Sequence, residues 1–358
     1  MSPAAGALLD RHGRRPGVLR LSLTARCNLA CPYCCPDDHD PPGLLSLAER
    51  HQLVATAASL GFTRLRLTGG EPLLHRDVEA LIDRLRPLRD RGPGADGGLE
   101  EIALTTNGVL LSAERARALR QAGLDRITLS LDGADGASVA RMAGLEGGSD
   151  SARQGERLLA RVLDAIENAH AAGFDPARGE LKLNAVIARH RNADQVLPLA
   201  ALARRLGVEL RLIEFMDVGN RNGWNAKQVM PAAAMLELIQ SRWPLEPAGR
   251  PMHGTASRWR YRDRPDGLHL AVVASITAPF CGDCNRLRVT ADGVAYTCLF
   301  AAQGTDLRPW LRPHGDAAGL RQALADLWRH RDDRYSEERN RSGAVGRAPH
   351  AEMAYLGG

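Results

Sequence analysis

The sequence predicts an α/β protein: an incomplete (β/α)6 barrel of the TIM type, followed by a smaller C-terminal domain. Between residues 18 and 217, six short apolar strands alternate with helices, which indicates a parallel sheet with right-handed crossovers. Polar residues follow these strands at their carboxyl ends, the face on which barrel enzymes assemble their sites. Beyond residue 217 the alternation stops and antiparallel strands are predicted.

The elements are predicted in chain order as follows. Residues 1–17 contain Gly, Pro and Arg and are expected to form a flexible leader. The barrel, residues 18–217, has predicted strands at Val18–Leu23, Phe62–Thr68, Ile102–Thr105, Arg126–Leu131, Leu181–Ile187 and Glu209–Phe215. Gly133–Gly155 is rich in glycine and polar residues and is predicted to be a long mobile loop. The C-terminal domain is predicted to comprise residues 218–358.

Local signals place the helices. Ser46 is a predicted N-cap of a helix that ends near Leu60. Gly69-Gly70-Glu71-Pro72 breaks the second strand before the next helix. In the C-terminal domain the sequence predicts helices at Pro231–Arg242 and Ala317–Arg331, and antiparallel strands within Ser257–Val273.

Composition excludes several classes of protein. The 358 residues can bury a large core, and no apolar run approaches the ~20 residues needed to cross a membrane. The first residues lack the apolar core of a signal peptide, which predicts a cytoplasmic location. The net charge of +5 comes from arginines scattered among carboxylates, unlike the basic stripe of a nucleic-acid-binding protein. Such a balance is compatible with an anionic small substrate.

Three cysteines, Cys27, Cys31 and Cys34, follow the first strand with three and then two residues between them. Iron–sulfur clusters are held by thiolates, usually four, so three thiolates indicate a four-iron cluster with one iron free for another ligand. A zinc knuckle, which normally takes four ligands, and incidental buried thiols are the alternatives. Cys35 is interpreted as a spectator, because adjacent side chains rarely serve one cluster.

A second group, Cys281, Cys284 and Cys298, has spacing that is typical of both zinc and iron–sulfur sites. Zinc completed by a histidine is the main alternative here. Arg286 and Arg288 alternate on the strand that follows, so both can point to one face. Guanidinium groups suit phosphates or a purine edge, although the pair taken alone favours a solvated strand face.

Two further features are ambiguous when taken alone. Gly69-Gly70-Glu71-Pro72 resembles a common turn after a strand, but beside the first cysteine loop its backbone and carboxylate are plausible ligands for a charged amine. Lys182 shares a predicted strand face with Asn184. A buried lysine needs an anionic partner, either a substrate phosphate or a structural carboxylate.

Together these residues resemble the radical S-adenosylmethionine (radical SAM) superfamily, whose cluster motif has this cysteine spacing with an aromatic residue before the third cysteine. Within it the chain is similar to the GTP 3′,8-cyclases of molybdenum cofactor biosynthesis. The similarity extends from about Val18 to the last residue, and its parts are Arg66–Pro72, Leu104–Gly108, Arg211–Met216, Cys284–Arg288 and the terminal Gly357-Gly358.

The resemblance implies a partial barrel of the radical SAM kind, S-adenosylmethionine and two [4Fe–4S] clusters. It implies that a 5′-deoxyadenosyl radical removes the C3′ hydrogen of GTP, and that the sugar radical closes onto C8 of guanine. The product would be (8S)-3′,8-cyclo-7,8-dihydroguanosine 5′-triphosphate, in the first step of molybdenum cofactor biosynthesis. An external electron donor and a cyclic pyranopterin monophosphate synthase that receives the product are implied partners. No nucleic acid or membrane partner is expected, and a homodimer is an expectation.

Site residues follow from the same resemblance. Cluster ligands would be Cys27, Cys31 and Cys34 for the first cluster and Cys281, Cys284 and Cys298 for the second. SAM contacts would be Tyr33, Gly70, Ser130 and Met216. GTP contacts would be Arg20, Arg66, Thr105, Lys182, Arg286, Leu287 and Arg288. Arg286, Arg288, Gly357 and Gly358 would act in catalysis, the two glycines as a tail that reaches into the site.

The chain departs from the family at Cys35, usually Met or Leu, and at Gly133-Ala134, usually Ser-Leu. No matched contact residue is lost. Two other functions stay open on the sequence: a radical SAM enzyme with one auxiliary cluster that acts on a peptide or another small molecule, and a non-catalytic zinc or electron-carrier protein. Iron, sulfide and product analysis would separate the three.

Overall fold

The computed structural model describes residues 7–92, 97–339 and 350–357. Its strands are β1 Val18–Ser22, β2 Arg64–Thr68, β3 Glu101–Thr106, β4 Arg126–Ser130, β5 Leu181–Ile187, β6 Glu209–Glu214, β7 Leu245–Gly249, β8 Ser257–Tyr261, β9 His269–Val273, β10 Arg286–Val289, β11 Val294–Tyr296 and β12 Thr305–Asp306. Its helices are α1 Leu47–Ser59, α2 Val78–Asp90, α3 Ala113–Ala122, α4 Gly136–Met142, α5 Ser151–Ala171, α6 Arg189–Asn192, α7 Val196–Leu206, α8 Ala232–Gln240, α9 Arg308–Leu311, α10 Ala317–Arg329, α11 Tyr335–Glu338 and α12 Met353–Leu356.

The described strands form one sheet in the order β12-β11-β10-β1-β2-β3-β4-β5-β6-β9-β8-β7. Strands β1 to β6 pair in parallel and in sequence, which confirms the predicted incomplete six-unit barrel. The C-terminal part does not stand apart from it, because β10 pairs in parallel with β1 and β9 in parallel with β6. Both edges of the barrel sheet are therefore extended by strands from beyond residue 217.

Alternation along the strands separates the core from the barrel interior. In β1, Leu19 and Leu21 are buried against the helical layer, whereas Arg20 lines the central cavity. Leu65 and Leu67 of β2 repeat the pattern. Each fully buried leucine contributes about 1.5–3 kcal/mol, so the apolar residues stabilise the sheet and leave the residues between them to form the site.

The prediction of a mobile loop over Gly133–Gly155 is wrong. Helix α4 and the first turn of α5 lie within it, and Asp135 caps α4 by accepting from Ser138 N. The glycines allow the two helices to pack closely, because a Cβ on Gly155 would overlap the backbone oxygen of Gly136. The composition looked like that of a loop because helix packing at contact distance also requires glycine.

The expectation of a flexible leader through residue 17 does not hold for its described part. The side chains of Asp10 and Arg14 are buried and joined by an ion pair, with Arg14 Nε 2.5 Å from Asp10 Oδ2. Trp328 Nε1 of α10 donates to Arg14 O over 3.0 Å. The contact with Trp328 connects residues distant in sequence, so local composition could not indicate it. Among the described helices, none has the length and apolar character required to span a bilayer.

Candidate functional site

A cavity of about 550 Å³ lies on the inner face of the sheet. All six cysteines of the two predicted groups line it: Cys27, Cys31, Cys34, Cys281, Cys284 and Cys298. Each is a half-buried free thiol. The two groups, far apart in sequence, therefore face one chamber.

The two groups lie at opposite ends of neighbouring strands. The first group follows the carboxyl end of β1. In the second group, Cys281 and Cys284 immediately precede the amino end of β10, and Cys298 returns to that end after the antiparallel strand β11. Because the two strands are parallel with Val18 opposite Arg286, the loops are separated along the strand direction. Strand β1 alone spans about 13 Å. A substrate in the cavity can therefore lie between them.

The first cysteine loop is held by the Gly-Gly turn after β2. Gly70 N donates to Thr24 O and Glu71 N to Arg26 O, each over 2.8 Å. A Cβ on Gly70 would overlap Arg26 O, so glycine is required where the two backbones meet. On the other side, Ala30 N donates to Ala143 O at the end of α4.

The predicted SAM contacts Tyr33, Gly70, Ser130 and Met216 all line the cavity. Tyr33 is held by Asp132 at the end of β4: its hydroxyl donates to Asp132 Oδ2 over 2.7 Å, and Val186 N donates to Oδ1 over 2.7 Å. Burial raises the pKa of Asp132 to about 6, against the effect of these two donors. Asp132 directly follows the predicted strand Arg126–Leu131, and the sequence did not indicate it as a partner of Tyr33.

Glu71 supports the loop instead of offering a free carboxylate. Its oxygens accept from Leu73 N at 2.9 Å, Thr106 Oγ1 at 2.7 Å and Asn107 N at 2.7 Å. Asn107 Nδ2 in turn approaches Cys27 Sγ at 3.7 Å. Glu71 is 1% exposed and is among the residues that line the cavity, so these three donors fix the orientation of its carboxylate there.

The thiols of the first group influence one another. Burial, together with the charges of Cys27 and Cys35, raises the pKa of Cys34 to about 12. Cys31 is shifted in the same direction by burial, Asp132 and its fellow thiols. Thiolates packed this closely are stabilised by a cationic cluster, which binds them deprotonated. No three His, Cys, Asp or Glu side chains in the described ranges converge on a single ion, and a four-iron cube binds each thiolate at a different iron.

The second group has a different charge environment. Burial would raise the pKa of Cys284, but the guanidinium groups of Arg286 and Arg331 outweigh it and lower the pKa to about 6. Arg286 NH2 lies 3.0 Å from Cys284 Sγ, and Arg331 NH2 lies 3.2 Å from the same sulfur. Arg286 also stacks over the Phe280 ring at 5.0 Å. A thiolate at Cys284 is therefore favoured near neutral pH.

A row of arginines crosses the cavity wall. Arg288, Arg20 and Arg66 occupy directly paired positions on β10, β1 and β2, and all three line the cavity. Arg66 NH2 lies 3.2 Å from Glu101 Oε1, and Arg20 donates two hydrogen bonds to Gly357 O. Burial lowers the pKa of Arg20 well below its usual value, and Arg288, Arg66 and Arg286 lower it further. Buried like charges at paired positions are unfavourable, so this wall favours a polyanionic occupant.

A second cationic cluster surrounds Glu209 on β6. Lys182 Nζ lies 3.2 Å and Arg211 Nε 2.8 Å from Glu209 Oε1, and Arg258 pairs with Oε2. One carboxylate thus gathers three cations, leaving a net positive charge on the cavity wall, since Lys182, Arg211 and Arg258 all line it. The sequence left two anionic partners open for Lys182, a substrate phosphate or a structural carboxylate. Lys182 pairs with the carboxylate of Glu209 and also lines the cavity, so the two partners do not exclude each other.

The chain end is docked against the sheet. Arg20 donates to Gly357 O from Nε at 3.0 Å and from NH2 at 2.7 Å. Ser22 Oγ donates to Tyr355 O over 3.1 Å. Gly357 has φ +66°, and a Cβ there would overlap Thr68 Cγ2. The position therefore requires glycine twice, for its backbone conformation and for the lack of space.

Other predicted contacts divide into two sets. Thr105 and Arg286 line the cavity, whereas Leu287 is 1% exposed in the apolar core, so only its backbone could reach a ligand. Gly358 lies outside the described residues. The sequence analysis assigned no site role to Asp132, Glu209, Arg211, Arg258 or Arg331. The only sequence signal for a site role of Glu209 and Arg211 was that they are polar residues on a strand next to the one that carries Lys182.

Two family models match the chain. The model for the Radical SAM superfamily matches residues 21–203, and the model for Molybdenum Cofactor Synthesis C matches residues 208–337. The first covers the end of β1, the first cysteine loop and strands β2 to β5, whereas β6 falls in the second match. The second covers the strands that extend the barrel and the second cysteine group.

Full-length relatives are named GTP 3′,8-cyclase. One from Synechococcus sp. (strain CC9605) is 60% identical over 351 residues, which cover 98% of each chain. Another, from Parasynechococcus marenigrum (strain WH8102), is 60% identical over 358 residues, which cover 100% of both. Among solved structures, Streptococcus suis SuiB bound to S-adenosylmethionine has a TM-score of 0.60 at 14% identity, covering 92% of this chain and 69% of that one. This last similarity concerns the fold alone.

Proposed function

Because this chain belongs to the GTP 3′,8-cyclase family of the radical SAM superfamily, we propose specific roles for its cavity residues in that reaction. The family converts GTP to 3′,8-cyclo-7,8-dihydro-GTP in the first step of molybdenum cofactor biosynthesis. It uses S-adenosylmethionine and two [4Fe–4S] clusters, and the first cluster, when bound, supplies the reductive cleavage of SAM. The remaining roles belong to the protein.

Cys27, Cys31 and Cys34 would bind the first cluster, and Cys281, Cys284 and Cys298 the second. Tyr33, Gly70, Ser130 and Met216 would hold SAM beside the first. This arrangement is supported by the lining of one cavity by both cysteine groups, and by the opposite strand ends from which they come. The residues present are suited to clusters, because each group presents three free thiols and no described disulfide removes any.

The observation that carries the substrate assignment is the partly buried row Arg288, Arg20 and Arg66, which lines the cavity that both cysteine groups face. Guanidinium groups bind phosphate oxygens in pairs, and a triphosphate would neutralise the like charges of the row. Lys182, held by Glu209, would add an ammonium contact. Arg286 would approach the guanine end, because it lies beside Cys284.

The function is tested by anaerobic incubation of fully reconstituted protein with GTP, SAM and dithionite. We expect 3′,8-cyclo-7,8-dihydro-GTP and one 5′-deoxyadenosine for each product. Reactions without SAM, or with ATP in place of GTP, are the controls and should give no cyclised product. Absence of the product from protein loaded with both clusters would contradict the function and favour a radical SAM enzyme with another substrate.

The pH dependence of GTP capture should depend on Lys182. Burial and Arg211 lower the pKa of this ammonium to about 8, although Glu209 opposes the shift. The cationic form exists below that pKa, so kcat/KM for GTP should fall as the pH rises through about 8, by up to about tenfold per pH unit.

The Lys182→Arg variant separates this effect from general inactivation, because a guanidinium stays charged throughout. We expect its kcat/KM profile to be flat between pH 7 and 9. Lys227→Arg is the matched control, since Lys227 is exposed and is the only other lysine in the sequence. An identical alkaline fall in wild type and Lys182→Arg would exclude Lys182 as its origin.

We further propose a cytoplasmic location, a homodimeric state, an external reductant, and delivery of the product to a cyclic pyranopterin monophosphate synthase. Delivery is supported by the membership of the chain in a family that acts at the first step of the route.

A further inference from the structure

Arg331, just after α10, is a buried cation to which neither the sequence nor the family comparison gives a role. Its side chain is 1% exposed. NH1 donates to Cys284 O over 2.6 Å, while NH2 donates to Cys284 Sγ over 3.2 Å. One guanidinium therefore fixes both the backbone and the sulfur of a single residue in the second cysteine group.

The N-terminal segment, residues 7–17, holds Arg331 in this place. Asp10 Oδ2 lies 3.5 Å from Arg331 NH1 and 2.5 Å from Arg14 Nε, and Asp10 is completely buried. Arg11 N donates to Arg331 O over 3.2 Å. Two buried cations thus share one carboxylate, an arrangement in which loss of any member leaves an uncompensated charge.

The same segment contacts the cysteine loop directly. Arg14 NH1 donates to Cys281 O over 2.7 Å and to Asp333 O over 2.9 Å. Gly17 N donates to Asn285 O over 3.1 Å. The loop is therefore held on both sides of Cys284, by Arg14 at Cys281 and by Gly17 at Asn285, while Arg331 holds Cys284 itself.

Arg331 differs from Arg286, the other cation on Cys284 Sγ. Arg286 is a proposed substrate contact, and its guanidinium is stacked on Phe280 at the cavity wall. Arg331 is stacked on Trp328 at 4.7 Å, between Asp10 and Asp333. Its contact with the sulfur depends on the protein core and does not require substrate.

We propose that Arg331 is a positioning residue that fixes Cys284 and raises the reduction potential of the second cluster, and that residues 7–17 hold it through Asp10. Hydrogen bonds to ligating sulfur favour the more negative, reduced form of a cluster. The inference rests on the assignment of Cys284 as a ligand of that cluster, which belongs to the proposed function.

The test is an anaerobic redox titration, followed by electron paramagnetic resonance, of full-length protein carrying Cys27→Ala, Cys31→Ala and Cys34→Ala. Any cluster signal then comes from the second site alone. In this background Arg331→Met should shift the midpoint potential to a more negative value. Arg331→Lys keeps the charge but not the fork of donors, so its midpoint potential should lie between those of Arg331→Met and the protein with Arg331. Arg329→Met is the matched control, because Arg329 is exposed and pairs only with Asp326 among the described residues.

The outcomes are distinguishable. Absence of any cluster signal in the starting protein would reject the assignment of Cys284 and with it part of the proposed function. A normal signal with an unchanged potential in both Arg331 variants would overturn the inference alone. If Arg331→Met loses iron while Arg329→Met keeps its full iron content, the positioning role is supported. The midpoint potential is then measured on Arg331→Lys.

Asp10→Asn tests the role of the N-terminal segment without changing Arg331. We expect a chelator to remove the second cluster several-fold faster from this variant. Asp332→Asn, an exposed carboxylate beside the same segment, should lose iron at the wild-type rate. Equal rates for Asp10→Asn and wild type would show that residues 7–17 do not hold the site.

Discussion

Replacement of Gly357 by alanine is expected to reduce formation of the cyclised product by about 100-fold or more, while the iron content stays at the wild-type level. The left-handed backbone costs an alanine about 1–2 kcal/mol, and its Cβ would overlap Thr68 Cγ2. The tail would then leave Arg20, whose two hydrogen bonds to Gly357 O orient a proposed substrate contact. Removal of Gly357 and Gly358 together should have the same effect.

Gly207→Ala is the control for the backbone effect. Gly207 has φ +67°, almost the value at Gly357, but a Cβ there meets nothing within 4 Å. This variant should lose some stability and keep its activity. Product, 5′-deoxyadenosine and iron are measured in all variants. Wild-type turnover by Gly357→Ala would refute a role of the tail in the reaction.

Replacement of Cys281, Cys284 and Cys298 by alanine is the second large effect. The variant should lose about four of about eight irons per chain and its binding of GTP, yet still form 5′-deoxyadenosine from SAM. The physical reason is the separation of the two sites at opposite ends of β1 and β10. Removal of one set of thiolates leaves the other loop and its Gly70 support unchanged.

Cys35→Ala is the control for this experiment. Cys35 has a left-handed backbone with φ +48°, and its Sγ is directed to Pro32 O at 3.3 Å, so its removal should leave the iron content unchanged. Unaltered iron content in the triple variant would contradict the second site. Stoichiometric zinc in the wild-type protein would favour a structural metal site there.

Much of the architecture followed from local pattern. Strand β5 was predicted with its observed ends, and the other five barrel strands were predicted with ends one or two residues away. Such strands are read from apolar alternation, which depends on immediate neighbours. The two cysteine groups were likewise visible from spacing within short segments. Glycine was less informative. Gly136 and Gly155 allow two helices to pack closely, and in the sequence such glycines look the same as those of a loop.

The partial barrel and the two groups of thiols could be predicted from local sequence, and the reaction from resemblance to a known family. The folded structure was needed to show how charge is arranged around them. It placed Arg288, Arg20 and Arg66 in one row, gathered three cations on Glu209, and linked Asp10 to Arg331. The physical reason is that periodicity and ligand spacing act within a few residues, whereas the energy of a buried charge depends on partners brought near by folding.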